Sequence, residues 1–262
     1  MIPKTYVVPL DGSPFAERAV PIAGALAQRV GGKLVLVSAT SGGPLEPRTY
    51  LSEVAARYPD LSVETLVHDD DAPVDAILKV VGDSDDRILC MTSHGRGRLR
   101  WAILGSTAED VVRRSDRPML LVGRHCRDDF LTPDARMLAC VDGTDDGDRF
   151  APVVLEWAAQ LGLSTDAAVV VNPRDVESAE HPETLIDPIV EHFGGPDQVR
   201  AHLLTSAYVA GALADLAVDL PAAMIAMSCS GRSGLTRVVL GSVTMAVLHL
   251  ALCPLLVTRC AP

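Results

Sequence analysis

The chain of 262 residues is 48% hydrophobic, 22% charged and 4% aromatic, the make-up of an ordinary globular protein, which excludes long disorder and collagen-like structure. A formal net charge of −11 argues against broad nucleic-acid binding, because an acidic surface repels phosphate backbones. No apolar run approaches the ~18 residues of a membrane span, and the start Met1-Ile2-Pro3-Lys4-Thr5-Tyr6 lacks the blocks of a secretory signal, so the expected location is the cytoplasm.

In chain order, short apolar runs alternate with helical patterns. Tyr6–Leu10 reads as a buried strand, followed by Asp11-Gly12-Ser13. Phe15–Val30 places Ala19, Ile22, Ala23, Leu26 and Val30 at helical spacing, and Gly31-Gly32 ends that helix. Lys33–Ser38 is a second strand, Thr49–Tyr58 a helix, Ser62–His68 a third strand and Val74–Val81 a helix closed by Gly82. Arg87–Thr92 is a fourth strand. A glycine-bearing loop follows, then a helix over Ser106–Arg114 and a fifth strand at Met119–Val122.

The plan then repeats. Gly95-Arg96-Gly97, Gly105-Ser106-Thr107 and Arg117-Pro118 find partners in Gly231-Arg232-Ser233, Gly241-Ser242-Val243 and Cys253-Pro254, always 136 residues on. The starts match at an offset of 131, Asp11-Gly12-Ser13 with Asp142-Gly143-Thr144. Strands of the second copy are expected near Met137–Val141, Ala168–Asn172, Val199–Thr205, Ala222–Ser228 and Leu255–Thr258. The expected domains are residues 1–124 and 137–262, with 125–136 as a charged linker. Apolar strands alternating with helices predict an α/β fold: two tandem doubly wound, Rossmann-like domains, each a parallel sheet of five strands with helices on both faces. The charge is uneven. Residues 1–136 hold 17 Lys/Arg against 19 Asp/Glu, residues 137–262 only 6 against 15.

Ligands of such sheets bind at the carboxyl ends of the strands. Three loops of each copy fall there: Asp11-Gly12-Ser13 and Asp142-Gly143-Thr144; Ser38-Ala39-Thr40 and Asn172-Pro173; and Thr92-Ser93-His94-Gly95-Arg96-Gly97-Arg98 and Ser228-Cys229-Ser230-Gly231-Arg232-Ser233-Gly234. The third loop lets backbone approach a ligand at its glycines. It then enters a helix at Gly105-Ser106 or Gly241-Ser242, where free amides suit phosphate. Ser106 and Ser242 either cap their helices or offer a hydroxyl to a phosphate oxygen, and both readings stand. The glycines likewise serve either tight turns or a nucleotide. The twofold appearance of the loop, with nine residues between the glycines each time, favours the nucleotide.

The pattern Gly-x2-Gly-x9-Gly-Ser/Thr after a fourth strand, in a domain opening on a hydrophobic strand and Asp-Gly-Ser, resembles the universal stress protein family, and two copies resemble its tandem members. The resemblance implies the fold above, of the adenine nucleotide alpha hydrolase-like kind, and ATP, with Mg as its counter-ion. The base and ribose would lie near the first two strands and the phosphates on the glycine loop. By position it implicates Asp11 and Asp142, with Pro9 and Cys140 in place of the small residue the family often has two before the aspartate, and then Ala39 and Asn172. On the phosphate side it implicates Gly95, Gly105, Ser106, Gly231, Gly241 and Ser242. Thr92 and Ser228 stand where the first glycine of the motif belongs. Members that bind no ATP exist, so an interaction module with a protein partner is the alternative.

The resemblance also implies pairing of the two domains through their fifth strands, and leaves a homodimer of whole chains open. No nucleophile–base–acid constellation is present, so a stress-response sensor or regulator is expected, with at most slow ATP hydrolysis or autophosphorylation by analogy. His94 lacks a catalytic partner at recognisable spacing, and His68 with Asp69-Asp70-Asp71 reads as an acidic turn before it reads as a metal site. The six cysteines form no C-x-x-C pair. Cys90 and Cys140 are expected as buried reduced thiols, and Cys229, in a polar loop, as the one candidate for a reactive thiol.

Overall fold

The computed structural model describes residues 2–39, 46–69, 72–82, 84–93, 104–142, 147–176, 185–228 and 240–258. Its first half runs β1 (Thr5–Pro9), a short 3-10 helix (Ala16–Arg18), α1 (Ala19–Val30), β2 (Lys33–Ala39), α2 (Pro47–Ala55), β3 (Val63–His68), α3 (Pro73–Val81), β4 (Arg87–Thr92), α4 (Ser106–Arg114) and β5 (Met119–Val122). The second runs β6 (Arg136–Val141), α5 (Gly147–Leu161), β7 (Ser164–Val171), α6 (Pro173–Val176), α7 (Ile186–His192), β8 (Val199–Thr205), α8 (Val209–Asp219), β9 (Ala222–Ser228), α9 (Ser242–Leu250) and β10 (Leu255–Thr258). All ten strands join one sheet in the order β3-β2-β1-β4-β5-β10-β9-β6-β7-β8. Each half is parallel throughout, as crossover helices require.

The seam between the halves is the antiparallel pairing of the two fifth strands, Leu121 opposite Leu255, Leu120 opposite Leu256 and Met119 opposite Val257. All six side chains are buried, so apolar burial holds this joint together as much as the strand hydrogen bonds do. The pairing matches the arrangement expected from the sequence. It has a consequence for function: the strands of the two halves point in opposite directions, so their carboxyl ends open on opposite edges of the sheet. Further ties cross the seam. Arg29 Nε donates to Leu161 O at 2.9 Å, where α5 ends, and a cation suits the carbonyl end of a helix. Arg127 N donates to Leu252 O at 2.8 Å, while on the first-half side Arg18 Nη2 holds the linker through Cys126 O at 2.8 Å. Gly123, just past β5, lies so close to α9 that a Cβ there would sit 2.1 Å from Leu248 O.

Three elements depart from the sequence pattern. The first helix is split: Ala16 N donates to Ser13 Oγ (3.1 Å), starting a 3-10 turn before α1. Helix α2 begins at Pro47, which suits a first helical turn, and ends at Ala55. Strand β7 spans Ser164–Val171, earlier than the expected Ala168–Asn172. Ser164 is exposed, but Thr165 and Asp166 are buried, and Asp166, fully enclosed, bonds Arg136 Nε on β6 and His202 Nε2 on β8 (2.7 Å). An enclosed carboxylate requires such partners. Cys90 and Cys140 are buried and free, as are Cys126 and Cys253. Burial pushes the Cys126 and Cys140 thiols up to about 12, which keeps them protonated and unreactive. Cys229 and Cys260 lie outside the described residues.

Candidate functional site

At the carboxyl edge of the first half, the chain leaves β1 through a tightly determined turn. Asp11 Oδ1 accepts from Ser13 N at 2.9 Å, Ser13 O accepts from Glu17 N at 3.3 Å, and Gly12 between them has φ +80°, a conformation that favours glycine. Asp11 is thus fixed in orientation before any ligand arrives. The β1–β2 register, with Pro9 opposite Val37, sets Asp11 level with Ala39 at the end of β2. Ala39 is buried, with the smallest side chain that carries a Cβ.

Across β1 lies the end of β4, where Thr92 and Ser93 are buried. Ser93 N donates to Val122 O (3.1 Å), and Gly105 N donates to Ser93 O (2.9 Å). This pair of bonds closes the neck of the loop that holds His94, Gly95, Arg96, Gly97 and Arg98, which lie outside the described residues. Gly105 is itself the N-cap of α4, so the helix start carries no side-chain cap. Ser106 is therefore the first helical residue, exposed, with Thr107 half-buried behind it. Of the two roles open to Ser106, capping as the N-cap residue belongs instead to Gly105.

The second half repeats this helix start. Gly241 caps α9, and Met245 N donates to Gly241 O (2.9 Å) as Glu109 N does to Gly105 O (2.9 Å). Ser242 and Val243 are exposed. Ser228 ends β9 opposite Thr258 of β10. Gly143, Thr144, Gly231, Arg232, Ser233 and Gly234 fall outside the described residues. Asp142 is exposed beyond β6. Val141 lies opposite Val169, so the residue level with Asp142 is Val170, while Asn172 follows directly on the end of β7. Asn172 sits two residues further, and its Oδ1 accepts from Arg174 N (3.0 Å) in the turn into α6. The β-branched Val170 thus stands where the first half has Ala39.

Sequence reading missed a cluster beside Asp11. Tyr50, in the first turn of α2, donates its hydroxyl to Glu17 Oε1 at 3.0 Å, and Arg57 Nη2 donates to Glu17 Oε2 at 2.6 Å. Burial, the Glu17 bond and then the Glu17 and Asp11 charges hold the Tyr50 hydroxyl well above its ordinary range, against the opposing Arg57 charge. No local motif announces this cluster, because its partners are 33 and 40 residues apart.

Comparison with known proteins adds a family context. The model of the Universal stress protein family matches residues 49–123 and 190–259. Universal stress protein Rv2005c of Mycobacterium tuberculosis is 28% identical over 202 residues, covering 71% of this chain and 66% of that protein. The chain thus spans a little under two thirds of that relative's length. Among solved structures, a universal stress protein from Archaeoglobus fulgidus superposes with a TM-score of 0.67 at 17% identity, over 98% of this chain and 99% of that one. A functionally unknown protein from Pseudomonas aeruginosa, PA1789, gives 0.67 at 16%, over 98% and 92%. These two likenesses are of fold.

Proposed function

The chain belongs to the universal stress protein family, and from that premise we propose that it binds ATP at the carboxyl edge of its first half, and works as a cytoplasmic stress-response regulator rather than a turnover enzyme. One observation carries the reading. Gly105 and Gly241 cap their helices with φ of −60° and −58°, a conformation open to any residue. Among the described residues, a Cβ on Gly241 would meet nothing nearer than Thr244 Oγ1 at 3.9 Å. Two glycine-headed helix starts at matching positions leave their amides open to a phosphate. Asp11, held by its turn, and the strand end at Ala39 would take the base and ribose. The phosphates would lie along Thr92, Ser93, His94, Gly95, Arg96, Gly97 and Arg98 and the helix start at Gly105, Ser106 and Thr107, with Mg as counter-ion.

The second-half site, built on Asp142, Ser228, Gly241 and Ser242, would be the weaker, because Val170 replaces Ala39 and the surrounding charge is more negative. Heating the protein with and without ATP-Mg tests the reading. ATP at 100 times its Kd adds about 2.7 kcal/mol to stability, a shift of several degrees in Tm. An unchanged Tm, with no nucleotide carried through purification, overturns it. Thr92, buried where the family motif has its first glycine, favours a second reading, a nucleotide-free interaction module. That unchanged Tm is the result the second reading expects.

A further inference from the structure

The first-half edge carries one aromatic side chain that the nucleotide reading does not use. Ten aromatic residues occur in the whole chain, so a half-buried tyrosine at a ligand edge is uncommon here. Tyr50 occupies the first turn of α2, the helix that leaves the carboxyl end of β2, where Ala39 sits. Its ring packs partly against the core. Its hydroxyl is tied to Glu17, four residues beyond Ser13, and Glu17 is held from the other side by Arg57. Both Glu17 oxygens are engaged, so the ring is anchored through its hydroxyl to the same turn that fixes Asp11.

The geometry points to Tyr50 as the base-side wall of the first-half site: its ring, anchored through Glu17 and Arg57 to the turn that fixes Asp11, forms a flat surface for the base of a bound nucleotide. This inference rests on the nucleotide reading above and adds to it a contact with the nucleoside part, not the phosphates. A planar base against a preorganised aromatic ring is a favourable and sequence-tolerant contact. Holding the ring in advance removes the ordering cost that a free side chain would bring to binding.

Calorimetric titration with ATP and, separately, with inorganic tripolyphosphate tests the assignment. A Gly241→Val background silences the second half. Tyr50→Ala should weaken ATP binding about tenfold and leave tripolyphosphate binding unchanged. Tyr50→Phe, which keeps the ring and loses only the Glu17 bond, should recover most of the ATP affinity. Unchanged ATP binding by Tyr50→Ala overturns the wall, and so does an equal loss for both ligands, which marks a purely structural role. If the parent protein binds neither ligand, the nucleotide reading itself fails and the wall falls with it. If the parent binds ATP and Tyr50→Ala binds it as well, the wall alone fails.

Discussion

The two halves begin α4 and α9 with the same backbone and then part company. Gly105 and Gly241 agree within a few degrees in φ and ψ, −60° and 149° against −58° and 155°. Beyond them α4 exposes Glu109, Arg113 and Arg114, whereas α9 exposes Val243 and Leu250. Level with the aspartates stand Ala39 in one half and Val170 in the other. Duplication has kept what the main chain requires, the strand order and the helix entry, and has let side-chain chemistry drift. Membership of the family therefore speaks for the frame of both halves, while ligand binding has to be argued for each half from its own side chains.

The largest expected effect asks how independent the halves are. Asp166→Ala leaves Arg136, three-quarters enclosed with its side chain 23% exposed, and His202 without their shared carboxylate. Breaking a buried pair from one side costs about 3–5 kcal/mol. Hydrogen exchange should quicken in β6, β7 and β8 and stay slow in β1 and β2. Equal quickening on both sides of the seam would show that the ten strands unfold as one unit, and the contrast between halves would lose its thermodynamic meaning.

Much of this frame was legible in the sequence. Val199–Thr205, Ala222–Ser228 and Leu255–Thr258 were readable to the residue, because β8, β9 and β10 are bounded by turn residues and follow the apolar pattern of the sheet. Strand β7 was not, because Ser164, Thr165 and Asp166 look like a loop until β6 and β8 supply partners for the carboxylate. The register of β7 against β6 was hidden in the same way. Counting from the end of an apolar run cannot reveal how far a strand has slid against its neighbour, and only the pairing of Val141 with Val169 fixes it. Tyr50 was hidden for a related reason: a contact between α2 and the turn after β1 exists only once the sheet has brought the two together.

The next effect in size sharpens the contrast at the site. Ala39→Val gives the first half the residue of the second, and Val170→Ala does the reverse. Two added methyl groups beside a bound base should cost the first half about tenfold in ATP affinity, ~1.4 kcal/mol, within the range for crowding a packed site. Val170→Ala should strengthen binding in the second half by no more than that. Isothermal titration of each single variant and of the double swap reads both. If Ala39→Val binds ATP as the parent does, the base does not lie against Ala39, and the difference between the halves has another source.

The smallest effect separates a structural hydroxyl from a ligand-binding one. Ser13 Oγ accepts from Ala16 N, and its backbone N donates to Asp11 Oδ1. Ser13→Ala removes the first bond and retains the second, since the backbone amide survives the substitution. Loss of such a cap costs about 1 kcal/mol, visible as a lower denaturation midpoint with an unchanged slope. Asp11 stays in place, so ATP affinity should hardly move. A loss of affinity as large as that of Ala39→Val would mean that the Ser13 hydroxyl touches the nucleotide as well as the turn. The turn after β1 would then belong to the binding surface itself, and not only to the support beneath Asp11.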